Sequence, residues 1–114
     1  PWMGISMYPV DALLAERLGL PVERGVLITD VRPDSPADDA GLRGGQREET
    51  VNGLPLRVGG DVVVAIGGQP VSDSDQLISL LDLNHVVGDT IVLSVLRDGA
   101  EPAEEVQLVL EARP

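Results

Sequence analysis

The sequence predicts an α+β fold: a partly open antiparallel β-sandwich or barrel of five to six short strands, with two helices and one helical turn. Three observations carry that expectation. Short runs rich in Val, Ile and Leu recur between turn residues, with 13 Gly and 9 Pro in 114 positions. Asn52-Gly53 and Asp98-Gly99 each separate two strand-like arms, which makes local pairing antiparallel. Gly60 to Leu83 holds a complete strand, a tight turn and a helix whose apolar surface is too wide for one partner.

Trp2-Met3-Gly4-Ile5-Ser6-Met7-Tyr8 reads as a loop running into a short strand, with Ile5 and Met7 on one face and Pro9 as its end. Asp11 to Leu18 follows as a short amphipathic helix stopped by Gly19. Gly25 to Val31 is a clear strand. Pro33 and Pro36 forbid its continuation, and Asp34 or Ser35 can cap a helical turn over 36–40. Residues 44–58 are the least regular part, and Asn52-Gly53 there predicts an exposed hairpin whose second arm, with Pro55, lies on an edge. Val62 to Ile66 is a β-branched run bounded by glycines, expected to be buried on both faces. Gly67-Gly68 turns the chain, and Ser72, Asp73 and Ser74 compete to cap the next helix. On that helix Leu77 and Leu80 form one apolar stripe, and Ser74, Ile78 and Leu81 form another. Pattern alone leaves two readings open, a helix sunk in one core or one with its second stripe walling a groove. Thr90 to Arg97 and Glu104 to Leu110 read as a closing antiparallel pair.

Eight basic against nineteen acidic residues give a net charge of −11, which argues against nucleic acid and anionic membrane surfaces as partners. No run approaches the roughly 18 apolar residues of a membrane span, so no direct membrane insertion is expected. Without Cys there is no disulfide, thiolate metal site or cysteine nucleophile. Phe is absent and Trp and Tyr occur once each, so the core must be built of Leu, Val, Ile and Ala. The length suits one domain over residues 1–114, and the start at Pro1 suggests a piece of a longer polypeptide. The one histidine, His85, has no His, Cys or paired acid at ligand spacing nearby. Asp38-Asp39 and Glu48-Glu49 are adjacent in sequence, so their side chains point apart and make poor acid–base pairs. No catalytic residue, metal or cofactor is therefore expected.

Several stretches, in this order, resemble the PDZ domains of HtrA/DegP-type trypsin-like serine proteases. They are Trp2-Met3-Gly4-Ile5, Gly25-Val26-Leu27-Ile28, Pro33-Asp34-Ser35-Pro36-Ala37 with Ala40-Gly41-Leu42, Gly60 to Val71, and Val87-Gly88-Asp89-Thr90. The resemblance implies a PDZ-like fold in the permuted strand order of that family, with residues 44–58 as an inserted hairpin-like loop. It also implies a non-catalytic module that captures hydrophobic C-termini or unfolded protein segments by strand addition. The amides of Met3, Gly4 and Ile5 would hold the terminal carboxylate, and Ile5, Met7, Ser74, Ile78 and Leu81 would line the side-chain pocket. Leu77 and Leu80 would go to the core. The chain has no Lys, and no Arg lies near the loop in sequence, so little help from a cation is expected. The parent would be a homo-oligomeric serine protease of the periplasm or cell envelope, with its protease domain as a further partner. The alternative reading is an intramolecular scaffold module that docks on the protease domain or on neighbouring subunits.

Overall fold

A computed structural model describes residues 2–51, 53–97 and 100–112. Along them run β1 (Ile5–Val10), α1 (Ala12–Leu18), β2 (Gly25–Val31), α2 (Pro36–Asp39), β3 (Arg47–Val51), β4 (Leu54–Val58), β5 (Val62–Ile66), β6 (Gln69–Pro70), α3 (Ser74–Asn84), β7 (Thr90–Arg97) and β8 (Ala100–Val109). One antiparallel sheet has the order β1-β2-β5-β7-β8 with β6 paired to β5, and β3 with β4 makes a separate ribbon. The main sheet thus has the expected number of strands, and the ribbon is the predicted hairpin of the 44–58 segment. The turns at Asn52-Gly53 and Asp98-Gly99 lie partly or wholly outside the described residues. The arms pair as expected, Val51 with Leu54 and Arg97 with Ala100.

The sheet nearly closes on itself. Trp2 bridges Glu111, its N–H donating to the Glu111 carbonyl at 2.9 Å just beyond the end of β8. The two outer strands therefore meet at one end only, and β1 keeps an open edge along the rest of its length. Pro9 does not end β1, contrary to expectation: the strand continues to Val10, with Pro9 opposite Val26. A proline is tolerated there because an outer strand has no second ladder to supply with an N–H.

Both faces of the sheet are apolar, and each has its own cover. Val26, Ile28, Val63, Leu93 and Val95 pack with Leu77 and Leu81 of α3 and with Ala37. Alternate residues Leu27, Val62 and Leu96 turn the other way, onto Leu14 of α1 and Val51, Leu56 and Val58 of the ribbon. This arrangement explains the unbroken apolar runs of β2 and β5. It also corrects the expectation of an exposed hairpin, because Val51, Leu56 and Val58 are buried while Leu54 and Arg57 face out. The polar tip of the segment gives no local sign of this role, because the apolar surface to be covered belongs to Leu27 and Val62, far away in the chain. The ribbon's neck is tight. A Cβ on Gly60 would lie 2.5 Å from the Ile28 carbonyl oxygen, and one on Gly45 would lie 2.5 Å from the Arg57 carbonyl carbon, so backbone packs directly on backbone.

Each helix is capped by a side chain of the type expected. Asp11 accepts from the Leu14 N–H at 2.8 Å, Ser35 from the Asp38 N–H at 3.2 Å and Asp73 from the Gln76 N–H at 2.8 Å. Asp73 thus prevails over Ser72 and Ser74. The reason is reciprocity, since the Gln76 side chain reaches back to the Ser72 N–H at 2.7 Å.

Candidate functional site

Gly4 is the pivot of the N-terminal loop. Its φ is +81°, and a Cβ there would lie 2.2 Å from the Cβ of Ser35, so neither the dihedral nor the space admits a side chain. Ser35 is itself fully buried at the start of α2. Around this contact three successive carbonyls are tied inward. Trp2 O accepts from the Glu111 N–H at 3.4 Å, Met3 O from the Ala37 N–H at 3.0 Å and Gly4 O from the Arg32 N–H at 2.8 Å. A trans peptide points its C=O and its N–H in opposite directions. The N–H groups of Met3, Gly4 and Ile5 are therefore turned away from these partners. Among the described residues, those of Met3 and Gly4 donate to no backbone carbonyl.

Beside the loop lies a groove of about 150 Å³ between β1 and α3. Met3, Ile5 and Met7 form one wall, and Ile78 and Leu81 form the other, with Asp82 beside them. A register shift between Ser6 and Met7 bends β1 at this point, as bulges near binding surfaces do. The structure brings together the predicted residues Met3, Gly4, Ile5, Met7, Ile78 and Leu81. Ser74 stands apart from this groove, further up the helix, with a buried hydroxyl that has no hydrogen-bond partner among the described residues.

The division of α3 into two stripes needs correction. Ile78 is 44% exposed and lies open, as expected, but Leu81 is 5% exposed and belongs to the core while also facing the groove. Leu80 is only half-buried. At 100° per residue Leu77 and Leu81 stand about 40° apart at the centre of the apolar arc, with Ile78 and Leu80 at its margins. The centre of an arc buries deepest.

The structure also places residues that sequence spacing could not. Ile5 pairs with Val31 and Ser6 with Asp30, so Arg32 stands opposite Gly4. A cation therefore does lie beside the loop, contrary to expectation, because antiparallel pairing brings together residues distant in sequence. Ser35 and Ala37, which read as parts of a helical turn, are the buttress of the loop. His85 lies 3.7 Å from the Asp89 carboxylate in the loop after α3, outside the groove. Among the described residues no three metal-binding side chains gather, and no helix is long and apolar enough to cross a membrane.

A nearly closed antiparallel sheet, whose outer strand and a helix flank a groove ending in a glycine-pivoted loop, is the architecture of PDZ domains. A family model of the PDZ domain matches residues 1–108, and the chain belongs to that family. It is 32% identical over 118 residues to a probable periplasmic serine endoprotease DegP-like of Marinomonas sp., covering 99% of this chain and 20% of that protein. It is 33% identical to the chloroplastic Protease Do-like 1 of Arabidopsis thaliana, covering 100% of this chain and 23% of that one. The chain thus spans about a fifth of the curated relatives it matches. Among solved structures, the HtrA-type protease AlgW with a decapeptide superposes with a TM-score of 0.70 at 26% identity, over 99% of this chain and 29% of that one. The HtrA3 PDZ domain bound to a phage-derived ligand, FGRWV, also has a TM-score of 0.70, over 96% of this chain and 84% of that one; at 23% identity it shows the fold. The chain is a PDZ domain of the HtrA/DegP type, the non-catalytic part of such proteases.

Proposed function

We propose that residues 1–114 act as one module that captures peptide C-termini and extended segments of unfolded proteins, adding them as a strand to the open edge of β1. The observation that carries this reading is the inward tethering of the Trp2, Met3 and Gly4 carbonyls, which turns three consecutive amides outward at the end of an apolar groove. Converging amides hold an anion without a charged side chain. The terminal side chain enters between Ile5, Met7, Ile78 and Leu81, and a residue further upstream lies toward the Ser74 end of α3, whose hydroxyl is buried. The decapeptide solved with the similar HtrA-type protease AlgW supports a peptide as the ligand. In a parent serine protease of the cell envelope, the module selects or senses substrates, consistent with relatives named as periplasmic endoproteases.

The test compares a decapeptide ending in a free carboxylate with its C-terminal amide, by fluorescence anisotropy. Amidation is expected to weaken binding by at least about 1.5 kcal/mol, the contribution of one hydrogen bond to a charged group. Equal affinities would instead mean recognition of internal segments. A second reading, docking onto a protease domain or a neighbouring subunit, is favoured by one observation. A wider depression of about 530 Å³ lies between α1 and the ribbon, where Leu13 is 77% exposed beside Tyr8 and Val51. Loss of binding to a purified protease domain in Leu13→Asp, with peptide affinity unchanged, is the expected sign of that second role.

A further inference from the structure

We infer that Arg32 makes the penultimate position of the captured peptide selective for an acidic side chain, an inference that rests on the strand-addition reading above. In an added strand successive side chains alternate between faces. If the terminal side chain enters the groove under α3, the next one back lies on the opposite face of β1. That face carries Ser6, and across the register it carries Asp30, while Arg32 stands opposite Gly4. A depression of about 330 Å³ lies there, lined by Trp2, Gly4, Ser6, Asp30 and Arg32 among others.

The charges at this place run against the rest of the molecule. Asp30 is held by Arg57 of the ribbon at 3.5 Å, whereas Arg32 has no carboxylate partner among the described residues. Two guanidiniums therefore face one carboxylate on a chain whose net charge is −11. Elsewhere the field disfavours an acidic ligand. At the penultimate position alone it favours one, and the ribbon takes part by neutralising Asp30. A glutamate there can reach Arg32 with two oxygens, the pairing that guanidinium geometry suits.

The experiment titrates the domain with three fluorescein-labelled decapeptides that end in valine and differ only in a penultimate Glu, Gln or Lys. The native domain is expected to bind Glu about two- to five-fold more tightly than Gln, and Lys more weakly than either, the range of an exposed ion pair. The preference should shrink in 0.5 M salt, on the order of a Debye length below 5 Å. Arg32→Glu should reverse the order, and Arg57→Gln should reduce the preference by uncovering Asp30. An unchanged order in Arg32→Glu, with all three peptides still bound, overturns the role of Arg32 and leaves strand addition standing. Failure of all three peptides to bind the native domain overturns both.

Discussion

Gly4 carries two constraints, a left-handed dihedral and a contact with Ser35 that leaves no room for a Cβ. Gly4→Val is expected to lose peptide binding and to destabilise the fold by at least the about 1–2 kcal/mol that a left-handed conformation costs an L-residue. A chemical-denaturation curve beside a binding titration checks this, and retained affinity would show that the loop does not hold the carboxylate. The apolar residues of α3 separate binding from folding in another way. Ile78→Asp should abolish binding with little loss of stability, because that side chain is already 44% exposed. Leu77→Asp and Leu81→Asp should both unfold the domain, since their positions are 0% and 5% exposed and a buried unpaired charge exceeds what a small fold can absorb. Circular dichroism melts decide it. A folded Leu81→Asp variant that merely fails to bind would restore the original two-stripe division.

At the scale of elements, the inserted ribbon is a second lid on the sheet rather than an ornament. Its closure adds little entropic cost, because loop penalties grow slowly with length. Its removal uncovers a great deal. Deleting residues 46–57 takes away the buried Val51 and Leu56 and exposes Leu27 and Val62. At about 1.5–3 kcal/mol for each buried aliphatic side chain, the expected loss is about 3 kcal/mol or more. A urea titration measures it, and an unchanged midpoint would mean that α1 alone can close over that face. Helix α2 is too short to be stable by itself, yet its first turn holds Met3 and its cap fills the space under Gly4. Its value lies in placing the loop.

Across the whole molecule, one buried carboxylate ties distant parts together. Asp61, fully buried at the start of β5, accepts from the Arg43 N–H at 3.0 Å and from Arg97 Nη1 at 2.7 Å. Arg97 also donates to the Gly41 carbonyl at 2.8 Å and to Glu104 at 3.0 Å, so β5, β7, β8 and the exit of α2 share one node. Burial alone would lower the pKa of Arg97, but the bonds and charges of Glu104 and Asp61 outweigh it and push it up. Asp61→Ala leaves this guanidinium without its buried partner and is expected to cost about 3 kcal/mol, the lower end for breaking a buried pair because Arg97 keeps some contact with water. Differential scanning calorimetry would register that loss as a lower Tm, and a Tm within a degree of the native value would show that the node is dispensable.

The sequence by itself determined most of the strands, the short list from which two of the caps came, and the family. The Asn52-Gly53 step between two arms, the β-branched run of Val62–Ile66 and the cap candidates before α2 and α3 are local patterns, and local patterns survive without knowledge of what lies opposite. It likewise brought forward Met3, Gly4, Ile5, Met7, Ile78 and Leu81, all of which line one groove. What only the tertiary structure decided is every relation between residues far apart in the chain. Arg32 came to Gly4 through the β1–β2 register, Ser35 came under the loop through the fold of α2, and Leu81 sank deeper than Leu80 because the arc of α3 is centred on the sheet. The ribbon became a lid because Leu27 and Val62 face it. Register and burial are set by partners, and the free energy that chooses them belongs to surfaces that form only when the chain is folded.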